Sequence, residues 1–182
     1  MPQTSIATAF SARFPDIGMR LHPERIPDRE AQVLQRTITD KAEIARLFTA
    51  FRATPKQAVV PFKTPFAYPM RVNELIERFA ETKPEFRATF EAMRQSLMAT
   101  EGPIDLEIPG YDLGGGDLLL LDGNHRAVGL YLGDRPFTLR VATLSAPVDR
   151  RYLIHLKYWD GGMRRFPLRL GRKFKLIRAH KS

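Results

Sequence analysis

The chain contains no cysteine. That excludes disulfides, thiolate metal sites and thiol chemistry of every kind, and it fits a reducing compartment. No stretch approaches the ~18 uninterrupted apolar residues that cross a bilayer. The opening Met-Pro-Gln-Thr-Ser-Ile-Ala-Thr-Ala-Phe has neither the basic nor the apolar region of a secretory leader, so the expected address is cytoplasmic. His22, His155 and His180 show no metal-ligand spacing to one another or to paired carboxylates, so no zinc site is expected. There is no internal repeat and no low-complexity tract. Acidic residues are missing from the last 19 positions.

That last absence explains the charge. The 182 residues carry +9, but Arg164, Arg165, Arg169, Arg172, Lys173, Lys175, Arg178 and Lys181 supply eight of the 29 basic residues. Residues 1–163 keep 21 basic and 20 acidic residues and are close to neutral. Phe166, Leu168 and Leu170 alternate with Arg165 and Arg169, which predicts strands with one basic face rather than a featureless arm. Such a tail binds nucleic acid through its phosphates or packs on the domain and lends cations to a phosphate ligand. With 43% hydrophobic and 27% charged residues the chain is long enough to bury a core, as one compact domain with extensions.

Residues 1–38 read as irregular, broken by Pro15, Pro23 and Pro27. Ile44, Leu47, Phe48 and Phe51 recur at helical spacing and predict a helix over Asp40–Ala53. Gln57–Phe62 is a short β-like run that Pro61 makes an edge strand or an irregular segment. A short helix is expected after Asn73. A longer one is expected over Pro84–Ala99, with Phe86, Phe90, Met93 and Leu97 inward and Thr82 and Glu85 at capping-box spacing. Ile104–Ile108 alternates as a strand, and Pro109–Gly116 reads as a turn-rich connection. Asp117–Leu121 is a short apolar run, the pattern of a strand covered on both faces. A helix follows to Leu132, then a strand over Phe137–Leu144. Arg151–Trp159 fits either periodicity. The fold class is therefore α+β: a small mixed sheet with packed helices.

The sharpest motif is Leu118-Leu-Leu-Leu-Asp-Gly-Asn-His-Arg126, a buried strand turning directly into a helix. First-turn N–H groups have no partner within their helix and, with the helix dipole, favour an anion. Gly123 lets backbone approach a ligand. Asn124, His125 and Arg126 add donors, and a guanidinium suits phosphate. Asp122 is placed to hold a metal or accept a hydroxyl proton. Gly114-Gly-Gly116 lacks a Gly-Lys-Ser/Thr ending and reads as a hairpin turn.

These surroundings resemble the ParB/sulfiredoxin superfamily over about residues 68–145. Tyr68-Pro-Met-Arg-Val-Asn-Glu-Leu-Ile is similar to its opening strand and turn. Phe90-Glu-Ala-Met-Arg-Gln-Ser-Leu97 followed by Gly102-Pro103-Ile104 is similar to its helix and second strand. Asp-Gly-Asn-His-Arg-Ala takes the place of its signature turn. Sulfiredoxins carry a cysteine where this chain has Asn124, so their chemistry is excluded. Chromosome-partitioning members bind CTP through a Gly-Glu-Arg-Arg type turn, and no helix-turn-helix follows here. The nearest pattern is the Asp-Gly-His-His-Arg of the ADP- or ATP-dependent free-serine kinases, from which Asn124 departs. The resemblance implies a core at 68–145 between an N-terminal extension (1–67) and a C-terminal segment (146–182). It implies ATP or ADP with Mg²⁺ and phosphates held by Gly123, Asn124, His125 and Arg126. Asp122 would serve phosphoryl transfer or bind the metal, and a glutamate on the preceding helix region, Glu85 or failing it Glu81, would act as base. The implied function is a phosphotransferase acting on a small hydroxyl compound such as serine. The alternatives are a ParB-like DNA-binding protein or nuclease, with Arg164, Arg165, Arg169, Arg172, Lys173 and Lys175 on phosphates, and a nucleotide-binding switch without catalysis.

Overall fold

The computed structural model describes residues 4–19, 21–61, 64, 67–149 and 151–153. The basic tail, the Arg164–Lys175 contacts expected of it, and most of the ambiguous Arg151–Trp159 stretch lie outside the described residues. Among the described residues the fold is α+β, built on one mixed seven-stranded sheet.

The N-terminal 38 residues are more ordered than their prolines suggest. Helix α1 (Ile6–Arg13) starts at Ser5, whose hydroxyl accepts the Thr8 N–H. Three short 3₁₀ turns follow, two of them opened by Pro15 and Pro23. Strand β1 (Gln32–Ile38) then pairs antiparallel with β7 (Phe137–Ser145). It is an edge strand exposed on both faces except at Ile38, so it carries no alternation for a sequence reading to detect.

The helix expected over Asp40–Ala53 is corrected. Only α2 (Lys41–Ala45) is helical, with Asp40 Oδ1 accepting the Ala42 N–H. From Phe48 the chain becomes strand β2 (Phe48–Thr54). The spacing of Ile44, Leu47, Phe48 and Phe51 fits a helix, but their contacts divide between two faces of a sheet. Leu47 and Ala53 join one core cluster and Phe48 the other. Tertiary pairing with β3 (Gln57–Ala58), β4 (Tyr68–Arg71) and β6 (Asp117–Leu120) decides the outcome.

Helix α3 (Val72–Glu77) is present, but Asn73 lies inside it. Arg71 is its cap residue, and the Glu74 carboxylate accepts the Arg71 N–H at 3.1 Å. Helix α4 (Pro84–Met98) is where expected, with Pro84 in its first turn, and Phe90 and Leu97 are buried, but Phe86, expected inward, is exposed on the first turn. The Thr82–Glu85 capping box does not form: Lys83 is the N-cap, and Thr82 Oγ1 instead donates to the Phe79 carbonyl at 2.7 Å. Strand β5 (Ile104–Gly114) runs through the region expected to be a connection. Pro109 is accommodated because its carbonyl still accepts the Leu121 N–H, and only the N–H that proline lacks is lost. The three glycines 114–116 all take positive φ and turn β5 into β6. Helix α5 (Asn124–Leu132) and strand β7 complete the order, and β7 lies parallel to β5 with eight residue pairs in register.

The sheet separates two apolar layers. In β6, Leu118 and Leu120 belong to the layer under α3, α4 and α5, while Leu119 and Leu121 belong to the layer covered by α1 and the 3₁₀ turns. In β7, Leu139 and Val141 face the first layer and Ala142 and Leu144 the second. A strand covered on both faces is what the Leu-Leu-Leu-Leu run predicts. No helix among the described residues is long and apolar enough to cross a membrane.

Candidate functional site

Strand β6 ends against β2, and the site lies at that end. Phe48 of β2 pairs in parallel with Leu119. Successive N–H groups of a strand point to opposite edges, so the next β2 donor on the β6 side is Ala50. By then the chain has left the sheet through Asp122 and Gly123. The side chain of Asn124 fills the gap: its Oδ1 accepts the Ala50 N–H at 2.8 Å. Further along, Arg52 O accepts the Val60 N–H, and Ala53 and Thr54 pair with β3. The turn is thus tied into the sheet by a side chain standing where a backbone carbonyl would be.

Gly123 makes the turn possible. Its φ of +75° is left-handed, and a Cβ placed on it would lie 2.4 Å from Ile108 Cγ2. Both the backbone conformation and the close approach to β5 call for glycine. The first helical bond of α5 runs from the Ala127 N–H to the Gly123 carbonyl at 2.9 Å. The N–H groups of Asn124 and Arg126 therefore have no carbonyl within the helix to reach.

The turn opens onto a cleft of about 350 Å³ lined by Ala50, Phe51, Met93, Asp122, Gly123, Asn124, His125 and Arg126. All five residues of the Asp-Gly-Asn-His-Arg motif line it, so the structure brings together Asp122, Gly123, Asn124, His125 and Arg126. The Arg126 guanidinium bonds Asp122 Oδ2 at 2.9 Å one helical turn away, with both side chains about one-third exposed. The other wall is apolar and aromatic. The His125 ring lies 5.3 Å from the Phe51 ring, nearly perpendicular to it, and 5.1 Å from the Phe90 ring. Phe51 and Phe90 meet edge to face at 5.2 Å. Phe90 is fully buried, so His125 stands against a fixed wall.

Glu85 is not among the residues that line this cleft. It is exposed on the first turn of α4. Glu81, the other candidate base, is held by the Arg78 guanidinium, and that hydrogen bond keeps its carboxyl below the usual carboxylate range. Asp122 is the single carboxylate lining the cleft among the described residues. Among the described residues no group of three or more His, Asp or Glu side chains is placed to hold a metal ion. A single carboxylate suits only an ion that takes most of its ligands from water and phosphate, as Mg²⁺ does.

Ala50, Phe51, Phe90 and Met93 were not anticipated as parts of the site. Phe90 and Met93 have the spacing of an inward helix face, and Phe51 was assigned to a helix that does not form. Nothing in the local sequence signals a bond between Asn124 and Ala50, which are 74 residues apart.

No family model matches the chain, and neither does any curated protein or solved structure.

Proposed function

We propose that the cleft binds the phosphates of a nucleotide, and that the protein is a phosphotransferase acting on a small hydroxyl compound, serine being the first candidate. The observation that carries this reading is the left-handed Gly123, which opens α5 onto a cleft lined by Asp122, Asn124, His125 and Arg126. A helix N-terminus, a guanidinium and an imidazole converge on a volume that an anion would enter. The aromatic and apolar side of the same cleft suits the remainder of a nucleotide better than a bare ion. Membership of the ParB/sulfiredoxin-like superfamily is part of the proposal. It is supported by the β5–β6 hairpin, the turn, α5 and the parallel return of β7 beside β5.

In the reaction the acceptor hydroxyl oxygen bonds to the terminal phosphorus of ATP or ADP. The bond to the bridging oxygen breaks and leaves ADP or AMP. The hydroxyl proton passes to Asp122, the carboxylate in place to take it. Arg126, His125 and the first turn of α5 neutralise charge on the transferred group, which is most of what phosphoryl transfer requires of a protein. Mg²⁺, with Asp122 as its protein ligand, supplies further charge neutralisation when bound. A cytoplasmic location is part of the same proposal.

The test is calorimetric titration with ATP, ADP and CTP in the presence of Mg²⁺, then product analysis with serine. Asp122→Ala should abolish turnover and shift Tm by only about 4 °C or less, because the Asp122–Arg126 pair is partly exposed and worth ~0–1 kcal/mol. Full activity in that variant removes Asp122 from the mechanism. Bound nucleotide that is never consumed supports a switch without catalysis instead.

A further inference from the structure

We infer that Asn124 is the specificity-determining residue of the cleft, a donor whose orientation is locked so that the ligand group beside it must accept a hydrogen bond, charged oxygens being favoured. This rests on the reading of the cleft as a phosphate site and adds the chemical requirement that site places on its ligand.

The argument starts from the asymmetry of an amide. Its oxygen only accepts and its nitrogen only donates. Asn124 Oδ1 is taken by the Ala50 N–H at 2.8 Å. A flipped amide would set Nδ2 against that N–H, donor against donor, and leave a strand N–H unsatisfied at the sheet edge. One orientation is therefore fixed by β2, and it leaves Nδ2 as the free end. That nitrogen makes no hydrogen bond to any described residue, and although Asn124 as a whole is 4% exposed, the nitrogen is not one of the enclosed side-chain atoms that lack a partner, so it keeps access to the cleft that Asn124 lines. A ligand that fills the cleft displaces the water there and must accept from this donor, or leave it unsatisfied. It stands on the first residue of α5, where the helix dipole also favours negative charge. Phosphate and carboxylate oxygens meet the requirement best, and a neutral oxygen meets it more weakly; an ammonium, which has no lone pair, does not.

Substitution by aspartate separates the two ends of the side chain. Asn124→Asp keeps the oxygen that accepts from Ala50 and keeps the shape. It replaces the donor facing the cleft by a second, negatively charged acceptor. The same charge in a first helical turn is favourable for the helix itself, which offsets part of the desolvation cost of a carboxylate at a nearly buried position. Asn124→Ala, by contrast, removes both ends of the side chain.

Inorganic tripolyphosphate and ATP are titrated calorimetrically into the full-length wild type, Asn124→Asp and Asn124→Ala, with Tm measured for each. The expected result is a Tm for Asn124→Asp above that of Asn124→Ala, with both ligands bound at least ~10-fold more weakly than by wild type, since hydrogen bonds to charged groups carry about that much. Asn124→Ala should lose both Tm and affinity. Asn124→Asp binding within about threefold of wild type would overturn the inference while leaving the phosphate site standing. A Tm for Asn124→Asp no higher than that of Asn124→Ala would overturn it too, because the retained oxygen must carry the bond to Ala50. Wild type that binds neither tripolyphosphate nor ATP would remove the phosphate reading itself, and the inference with it.

Discussion

Gly123→Ala tests the geometry on which the site depends. Two separate costs arise at this position. The residue sits at φ +75°, where an L side chain loses about 1–2 kcal/mol. The new methyl would also lie 2.4 Å from Ile108 Cγ2 and 2.9 Å from Ile108 Cβ. Ile108 is fully buried in β5, so neither atom is the free end of a flexible chain. Forcing such an overlap costs roughly 1–3 kcal/mol more. The expected total is about 2–5 kcal/mol, which for a chain of this length lowers Tm by about 5–15 °C. Gly116→Ala is the matched control. It has φ +80° and nothing within 4 Å of its would-be Cβ, so it should lose only the conformational part. Urea denaturation of both variants, fitted with a common slope, measures the difference. Equal losses in the two variants would show that the approach to Ile108 contributes nothing and that the turn is not clamped against β5 as described.

Two further outcomes follow from the packing. Phe90→Ala should cost about 3–5 kcal/mol in urea denaturation, because the ring is fully buried against Phe51, Phe79 and His125; a loss below 1 kcal/mol would mean that the aromatic wall is loosely packed. Tyr111 is buried, its hydroxyl donates to the Pro147 carbonyl at 2.8 Å, and burial raises its pKa above the ordinary value near 10. The unfolded chain therefore releases the phenolic proton first, so the stability tied to the neutral form is complete below about pH 10 and is lost as the pH rises further. Unfolding free energies measured from pH 8 to 11 should fall less steeply in Tyr111→Phe than in wild type, and identical slopes would exclude Tyr111 as a source of the alkaline loss.

The motif was legible because its signal is local. A run of four leucines, an Asp-Gly turn and a helix ended by Gly133 are adjacent in sequence, and each element forms where the pattern places it. Helix α4 and strand β7 were legible for the same reason: one long periodic face and one clean alternation. The elements that escaped are those decided by distant partners. β2 carries helical spacing but lies between strands that start 20 and 69 residues beyond its own start. β1 shows no pattern because both its faces are exposed. The site divides along the same line. Its charged half is one contiguous pentapeptide, whereas its apolar half comes from β2 and α4, and no local pattern announces that these three segments meet.

The two-sided burial of β6 determines how little of the chain can be removed. Leu119 and Leu121 rest on a layer that includes Ala7, Phe10, Ile17, Leu21, Ile26 and Ala31. His22 and Leu21 are in turn joined to Tyr152 and Leu153 by a backbone hydrogen bond and a β-bridge. A fragment cut to residues 68–145 would keep every residue of the signature turn and lose β2 as well as this whole layer. One face of the strand that presents Asp122 would then lie open to water. The terminal segments are part of the scaffold, and a piece meant to hold the turn in its shape must include at least the first helix through Leu153.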